Sequence, residues 1–273
     1  MRQEDAAYCT FGAATPFDEY NSACFVRSTP CPPQLSWRLS DDAIHAGEDE
    51  EWHDPAVRSR TRCTIWLSFT SNMVSSGVRE IIRYIVEHRL VDVIVTSAGA
   101  VEEDIMKTLR PHYIGSFELA GRDLRARGIN RLGNLLVPNL NYVAFEDWFS
   151  PLLHELHDEQ EKTGTIFTPS MIVDRMGARV DDRSSIWYWA HKHEIPVFCP
   201  GITDGAIGDM LYFHLWKRAG FVVDVARDVR RINDISVKVG CAAMYCVPPS
   251  QPGDDSRNST SNFPTFFRQR SRA

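Results

Sequence analysis

The chain has 273 residues, a formal net charge of -6 at pH 7 and 43% hydrophobic residues. That length suits one large domain or two small ones with a sizeable core, and the acidic balance gives a nucleic-acid partner no electrostatic support. The seven cysteines are odd in number and form no CxxC pair, which argues against a disulfide framework and a structural zinc site.

The opening "MRQEDAAYC" is polar, with no hydrophobic signal segment behind it, and no apolar run approaches the roughly 20 residues of a membrane span. A soluble, reducing, cytoplasmic setting is expected. Residues 1–60 carry scattered prolines and acids, including "SDDAIHAGEDEEWHD" (Ser40 to Asp54), and are expected to be poorly ordered.

Periodicity begins at "CTIWLSFT" (Cys63 to Thr70), a β-rich apolar run. In Ser75 to Leu90, Val78, Ile81, Ile82, Ile85 and Val86 recur at helical spacing. "VDVIVTSA" follows as a nearly all-apolar strand, the pattern of a sheet covered on both faces, and "VEEDIMKTL" as a second helix start. Helices are expected over Phe145 to Gln160, over Thr168 to Gly177, where a Thr cap precedes Pro169, over Ser184 to Glu194, and in "AIGDMLYFHLW". "IPVFCPGI" (Ile195 to Ile202), "FVVDVA" and "VGCAAMYCV" are the remaining strand candidates. The alternation predicts an α/β domain over 61–247, a doubly wound, mainly parallel sheet with helices on both faces. From Pro248 the text turns rich in Pro, Ser, Asn and Arg, which predicts a disordered tail over 248–273.

Ligands of open α/β sheets bind beyond the carboxyl ends of the strands, and three such ends stand out. At "TSNMVSSG" (Thr70 to Gly77), an ordinary serine cap and a pyrophosphate cradle both fit. "SAGAVEE" does not match GxGxxG. The positive end of a helix accounts for Glu102 and Glu103 there without any ligand. In "PGITDGAIGDM" (Pro200 to Met210), Asp204 and Asp209 suit either an Asx-Gly turn or a site for ribose hydroxyls or an amine. "HELH" (His154 to His157) reads as a solvated helix face, "HKH" points its histidines in different directions, and "WYW" (Trp187 to Trp189) reads as packing. No GxSxG motif is present.

Taken together, "TSNMVSSGVREIIRYIVEHRLVDVIVTSAGAVEED", "GINRLGNLLVPNLNY" with "FEDW", "TPSMIVDRMG" and "IPVFCPGITDGAIGDMLYFH" resemble the deoxyhypusine synthase family, from about Cys63 to about Met244. The resemblance implies NAD as cofactor and tetramers with shared active sites. It also implies transfer of spermidine's butylamine group, through an enzyme lysine, to a lysine of the translation factor 5A precursor. By motif it assigns Ser71, Asn72, Met73, Val74, Ser75, Ser97, Ala98, Gly99, Glu103 and Asp204 to NAD. Glu102, Glu103 and Asp209 are assigned to spermidine. Ala100 stands where the family usually has a second Gly, and Ser97 where it usually has Thr.

After "VGCAAM" the family continues with a glycine-rich turn, a histidine and a Trp-Gly-Lys stretch that supplies the nucleophile, and none of these occurs here. Of Lys107, Lys162, Lys192, Lys217 and Lys238, none follows Trp-Gly. No catalytic lysine and no metal ligand is therefore assigned, and the C-terminal part of the fold is expected to be missing. The chain is expected to be either a truncated synthase or a catalytically dead paralog. In either form it would work in a homo- or hetero-tetramer with a full-length family member. A sirtuin-like NAD enzyme is a weaker alternative, because that family's zinc cysteines are absent.

Overall fold

The computed structural model of the chain describes residues 26–29, 36–39, 53–58, 63–238 and 241–247. Most of the 1–60 segment and the whole 248–273 tail lie outside these residues. Within the segment, β1 (Val26–Thr29) and β2 (Ser36–Leu39) pair antiparallel, and a single helical turn, α1 (Pro55–Arg58), follows.

The body begins with β3 (Cys63–Phe69), α2 (Ser71–Ser75), α3 (Arg79–Glu87), β4 (Val93–Thr96) and α4 (Ala98–Leu109). Then come β5 (Tyr113–Ile114), α5 (Gly121–Ala126), β6 (Ile129–Leu132) and β7 (Leu135–Pro138). The rest is α6 (Asn139–Thr163), α7 (Pro169–Val180), α8 (Ile186–Lys192), β8 (Val197–Phe198), α9 (Ala206–Lys217), α10 (Val225–Lys238) and β9 (Cys241–Val247).

The central sheet has the order β8-β4-β3-β9, with every neighbouring pair parallel. Because successive strand residues point to opposite faces, the sheet feeds two apolar clusters. Ile65, Leu67, Phe69 and Ile94 join the main core beneath α3, α4, α6, α7 and α8. Trp66, Val93, Val95 and Phe198 pack with Ile232 of α10. The result is a mixed α/β fold built on a parallel sheet with helices.

Several expected boundaries move, each for a local reason. The single helix expected from Ser75 divides into α2 and α3, because the hydroxyl of Ser76 accepts from the amide of Val78 and bends the chain between them. "IPVFCPGI" contributes only two paired residues. Pro196 has no N–H to donate, its carbonyl accepts from Ile94, and the chain turns at Pro200 and Gly201. "FVVDVA" is a single bridge, Phe167 to Val223, because Asp224 accepts from the amide of Arg227 and opens α10 at Val225. The antiparallel sheet β5-β7-β6 has no counterpart in the sequence expectations.

The Thr168 cap is present as expected: its side chain accepts from the amide of Met171, with Pro169 as the first helical residue. Trp187 is fully buried and stacks on Phe69, as the packing reading of "WYW" expects. "HELH" is half corrected. His154 faces solvent, but His157 is buried and bonds His214 of α9 across 2.7 Å.

Asp104, which has no solvent exposure, ties three helices together. Its carboxylate accepts from Arg79 of α3 at 2.8 Å, from the hydroxyl of Ser185 at 2.6 Å and from the amide of Ile186 at 3.0 Å. The last bond satisfies the first amide of α8, and the bond before it holds Ser185, whose hydroxyl accepts from the amides of Trp187 and Tyr188.

Candidate functional site

The carboxyl ends of β3 and β4 lie side by side, since Phe69 pairs with Thr96. The next residues keep them together: the amide of Ser71 donates to the hydroxyl of Ser97 at 3.1 Å. α2 and α4 therefore start from one point. Gly99 is what lets them approach, because a Cβ there would sit 2.8 Å from the Cβ of Ser71. "SAG" is thus the first turn of α4, with Ser97 as its cap residue, rather than a loop before the helix.

That shift decides the two glutamates. α4 has no acidic residue in its first turn; Glu102 and Glu103 fall in its second and are 6% and 7% exposed. The helix-dipole account of them fails, since the dipole acts over the first turn. Both are buried in the wall between α4, α2 and α9. The carboxylate of Glu102 accepts from the amide of Ile207 at 3.1 Å and lies against Gly205, where a Cβ would be 2.7 Å from its Oε2. Glu103 bonds the hydroxyl of Ser75.

Burial pushes the Glu102 carboxyl up to about 7 from its ordinary 4.5, opposed by the Ile207 amide and reinforced by the charges of Glu103 and Asp209. Burial likewise pushes Glu103 up to about 7, opposed by Ser75 and by the charge of Lys107. The Cys199 thiol, raised to about 12 by burial and then by Asp204, Glu102 and Asp228, is no nucleophile. The acids of two strand ends thus act on common neighbours, and a mobile cation arriving there would favour their charged forms.

The remaining expected residues divide by environment. Ser71 and Ser97 are half-buried and meet directly, and Asn72, Asp204 and Asp209 are exposed. Met73, Val74 and Ala98 are buried in the core, so only their backbone atoms can face a ligand. Tyr142, on the first turn of α6, was not singled out in the sequence. Its phenol is raised by burial and then by Glu103 and Glu102, which places it beside the acids. The motif "NLNY" carries no local signal of that proximity.

A dinucleotide fits this corner on two observations. The hydroxyls of Ser68 and Thr70, at the end of β3, are buried and bond nothing among the described residues. Ser97 makes no side-chain cap bond to α4, which leaves the leading amides of that helix available to an anionic group. A groove of about 740 Å³ lies elsewhere, at the amino-terminal end of β8, lined by Arg175, His191, Lys192 and Arg231 among others. Its charged groups are engaged locally: Arg175 with Glu159, His191 with Asp174, and Arg231 with Ser170. No group of three or more His, Cys, Asp or Glu side chains among the described residues is arranged to hold a metal ion.

Comparison with known proteins gives a consistent picture. The family model "Deoxyhypusine synthase" matches residues 37–250. The chain is 56% identical over 209 residues to a "probable deoxyhypusine synthase" of Drosophila melanogaster, covering 77% of this chain and 56% of that protein. It is 53% identical to a deoxyhypusine synthase of Brassica napus, with 74% and 55% covered. A crystal structure of an Entamoeba histolytica protein provisionally named a deoxyhypusine synthase superposes with a TM-score of 0.56 at 32% identity, covering 68% of this chain and 57% of that one. The chain spans a little over half the length of these relatives.

Proposed function

The chain belongs to the deoxyhypusine synthase family. On that premise we propose that it carries the cofactor and polyamine half of an NAD-dependent transfer of spermidine's butylamine group to a lysine of the translation factor 5A precursor. The observation that carries this reading is the convergence of Glu102 and Glu103, buried and raised to about 7, beside the Ser71–Ser97 corner. A flexible polycation is the ligand for which such acids are suited, because its charge compensates the desolvation that holds their protons on.

In this proposal Ser71, Asn72 and Ser75 contact NAD from α2, with the backbone of Met73 and Val74. Ser97, Ala98 and Gly99 contact it from the start of α4, with Glu103 and Asp204 alongside. Bound NAD supplies the acceptor for a hydride from the carbon next to spermidine's secondary amine. Glu102 and Glu103 hold and orient the polyamine from the buried side, and Asp209 holds it from the rim. Once ionised by the ligand's charge, the glutamates keep the amine chain pinned while water is excluded by the wall of α4 and α9.

The lysine nucleophile is proposed to come from outside this chain. Lys107 is held by three backbone carbonyls, and Lys192 lies over the rings of Tyr188 and Trp189. Lys217 is two turns past Asp209, about 12 Å along α9. A partner is also favoured by α9 itself. Asp209, Tyr212, Phe213 and Trp216 share one face at helical spacing, and the three aromatics are 64%, 50% and 78% exposed. We therefore read the chain as one subunit of a homo- or hetero-tetramer with a full-length family member, whether as part of a longer synthase or as a regulatory paralog. β9 has no further neighbour among the described strands, which supports a doubly wound sheet continuing on that side. No described helix is long and apolar enough to cross a membrane, and a cytoplasmic location belongs to the same proposal.

The test is incubation of the purified chain with NAD, spermidine and the acceptor factor. The expected result is binding of NAD and spermidine without deoxyhypusine, and product when a full-length family member is added in a mixed oligomer. Product at a normal rate from this chain alone refutes the half-site reading, and failure to bind NAD refutes the cofactor corner.

A further inference from the structure

α2 is a five-residue helix: among the described residues the carbonyls of Val74 and Ser75 at its end receive no backbone amide, and that of Ser76 receives the amide of Arg79 at 3.4 Å. The side chain of Lys107 reaches them from α4. Its ammonium donates to the carbonyl oxygens of Val74 at 2.8 Å, Ser75 at 2.5 Å and Ser76 at 3.2 Å. Three protons meet three acceptors, which is the full donor capacity of the group. Lys107 also stands four residues after Glu103 and therefore on the same face of α4. The hydroxyl of Ser75 has one proton and two acceptors in reach, the carbonyl of Ser71 at 3.0 Å and the carboxylate of Glu103.

We propose that Lys107 is a positioning residue of the candidate site: by gathering the three carbonyls that end α2, it sets Ser75 against Glu103 and favours the charged form of that acid. This rests on the reading of Glu103 as a ligand-facing acid. The charges around the pair are few. Arg79 and Glu80 of α3 and Asp104 of α4 act on Lys107, and Arg79 is already bonded to Asp104 and Glu80. His112, just past α4, is pushed down to about 4 by burial and then by Lys107 and Arg79, so it stays neutral. Glu103 faces Ser75 of α2, its neighbour Glu102 and Tyr142 of α6, and Lys107 is the cation that opposes its burial. Losing that cation leaves an acid bordered only by neutral groups and another acid.

The experiment compares the full chain with Lys107→Met and Lys107→Arg by carbon-13 NMR titration of the glutamate carboxyls, and follows NAD and spermidine binding in parallel. Lys107→Met is expected to raise the titration midpoint of Glu103 by roughly one pH unit, and Lys107→Arg to restore most of it. In the unsubstituted chain the Lys107 ammonium protons are expected to exchange at least tenfold more slowly than those of Lys162. An unchanged Glu103 midpoint in Lys107→Met overturns the proposal. So does fast exchange of the Lys107 ammonium, even if both variants fail to fold. Absence of NAD and spermidine binding in the unsubstituted chain, with the titration behaving as expected, instead overturns the reading of the site and leaves the clamp standing.

Discussion

Glu102→Gln removes a buried charge while leaving an oxygen to accept the amide of Ile207. In the folded chain the Glu102 carboxyl sits at about 7, against an ordinary 4.5. The folded state therefore holds this proton more tightly than the unfolded state does. Its stabilising contribution is complete below pH 4.5, falls as pH rises through the window from 4.5 to 7, and is absent above 7. The separation of the two values corresponds to about 3 kcal/mol. Urea unfolding followed between pH 4 and pH 8 should show the wild-type chain losing stability across that window. The variant should lose about 3 kcal/mol less, the remaining slope belonging largely to Glu103. At pH 8 the variant should be the more stable protein. Parallel curves for the two chains refute the reasoning, since they would mean that Glu102 ionises inside the fold as easily as outside it.

The same acids predict that spermidine binds more tightly at pH 8 than at pH 6, by about tenfold for each glutamate that must release a proton near 7. Calorimetric titration in two buffers of different ionisation enthalpy measures this, and proton-free, pH-independent binding contradicts it. Asp104→Ala leaves Arg79 buried without this carboxylate and the amide of Ile186 unpaired, so denaturant unfolding should report a loss of roughly 3–5 kcal/mol; a loss below about 1 kcal/mol would show that the pair contributes little. Trp216→Glu alters an exposed position on α9. It should leave the thermal transition in place and abolish the mixed oligomer with a full-length family member on size-exclusion chromatography, whereas unchanged co-elution would remove α9 from the interface.

Much of the chain's organisation was legible because it is written in local periods. The spacing of Ile82, Ile85 and Val86 marks the buried face of α3. The run Val93 to Val95 marks a strand covered on both sides, and Thr168-Pro169 marks the start of α7. The same text named the residues at the strand ends, because the carboxyl ends of parallel strands are where side chains and helix starts converge. Tertiary contacts decided the rest. No local pattern shows that Gly99 must be bare for α4 to begin at Ala98 against Ser71, and that one placement moves Glu102 and Glu103 out of the helix's first turn and into the wall of the site. The antiparallel strands β5, β6 and β7, the bond between His157 and His214, and the neighbourhood of Tyr142 depend likewise on residues far apart in sequence. Sequence by itself determined the parallel α/β framework and which acids are present, since those follow from composition and period. Only the tertiary structure decided that two of those acids are buried together and hold their protons near neutrality, because desolvation and the nearness of another charge are properties of what surrounds a group, not of its place in the chain.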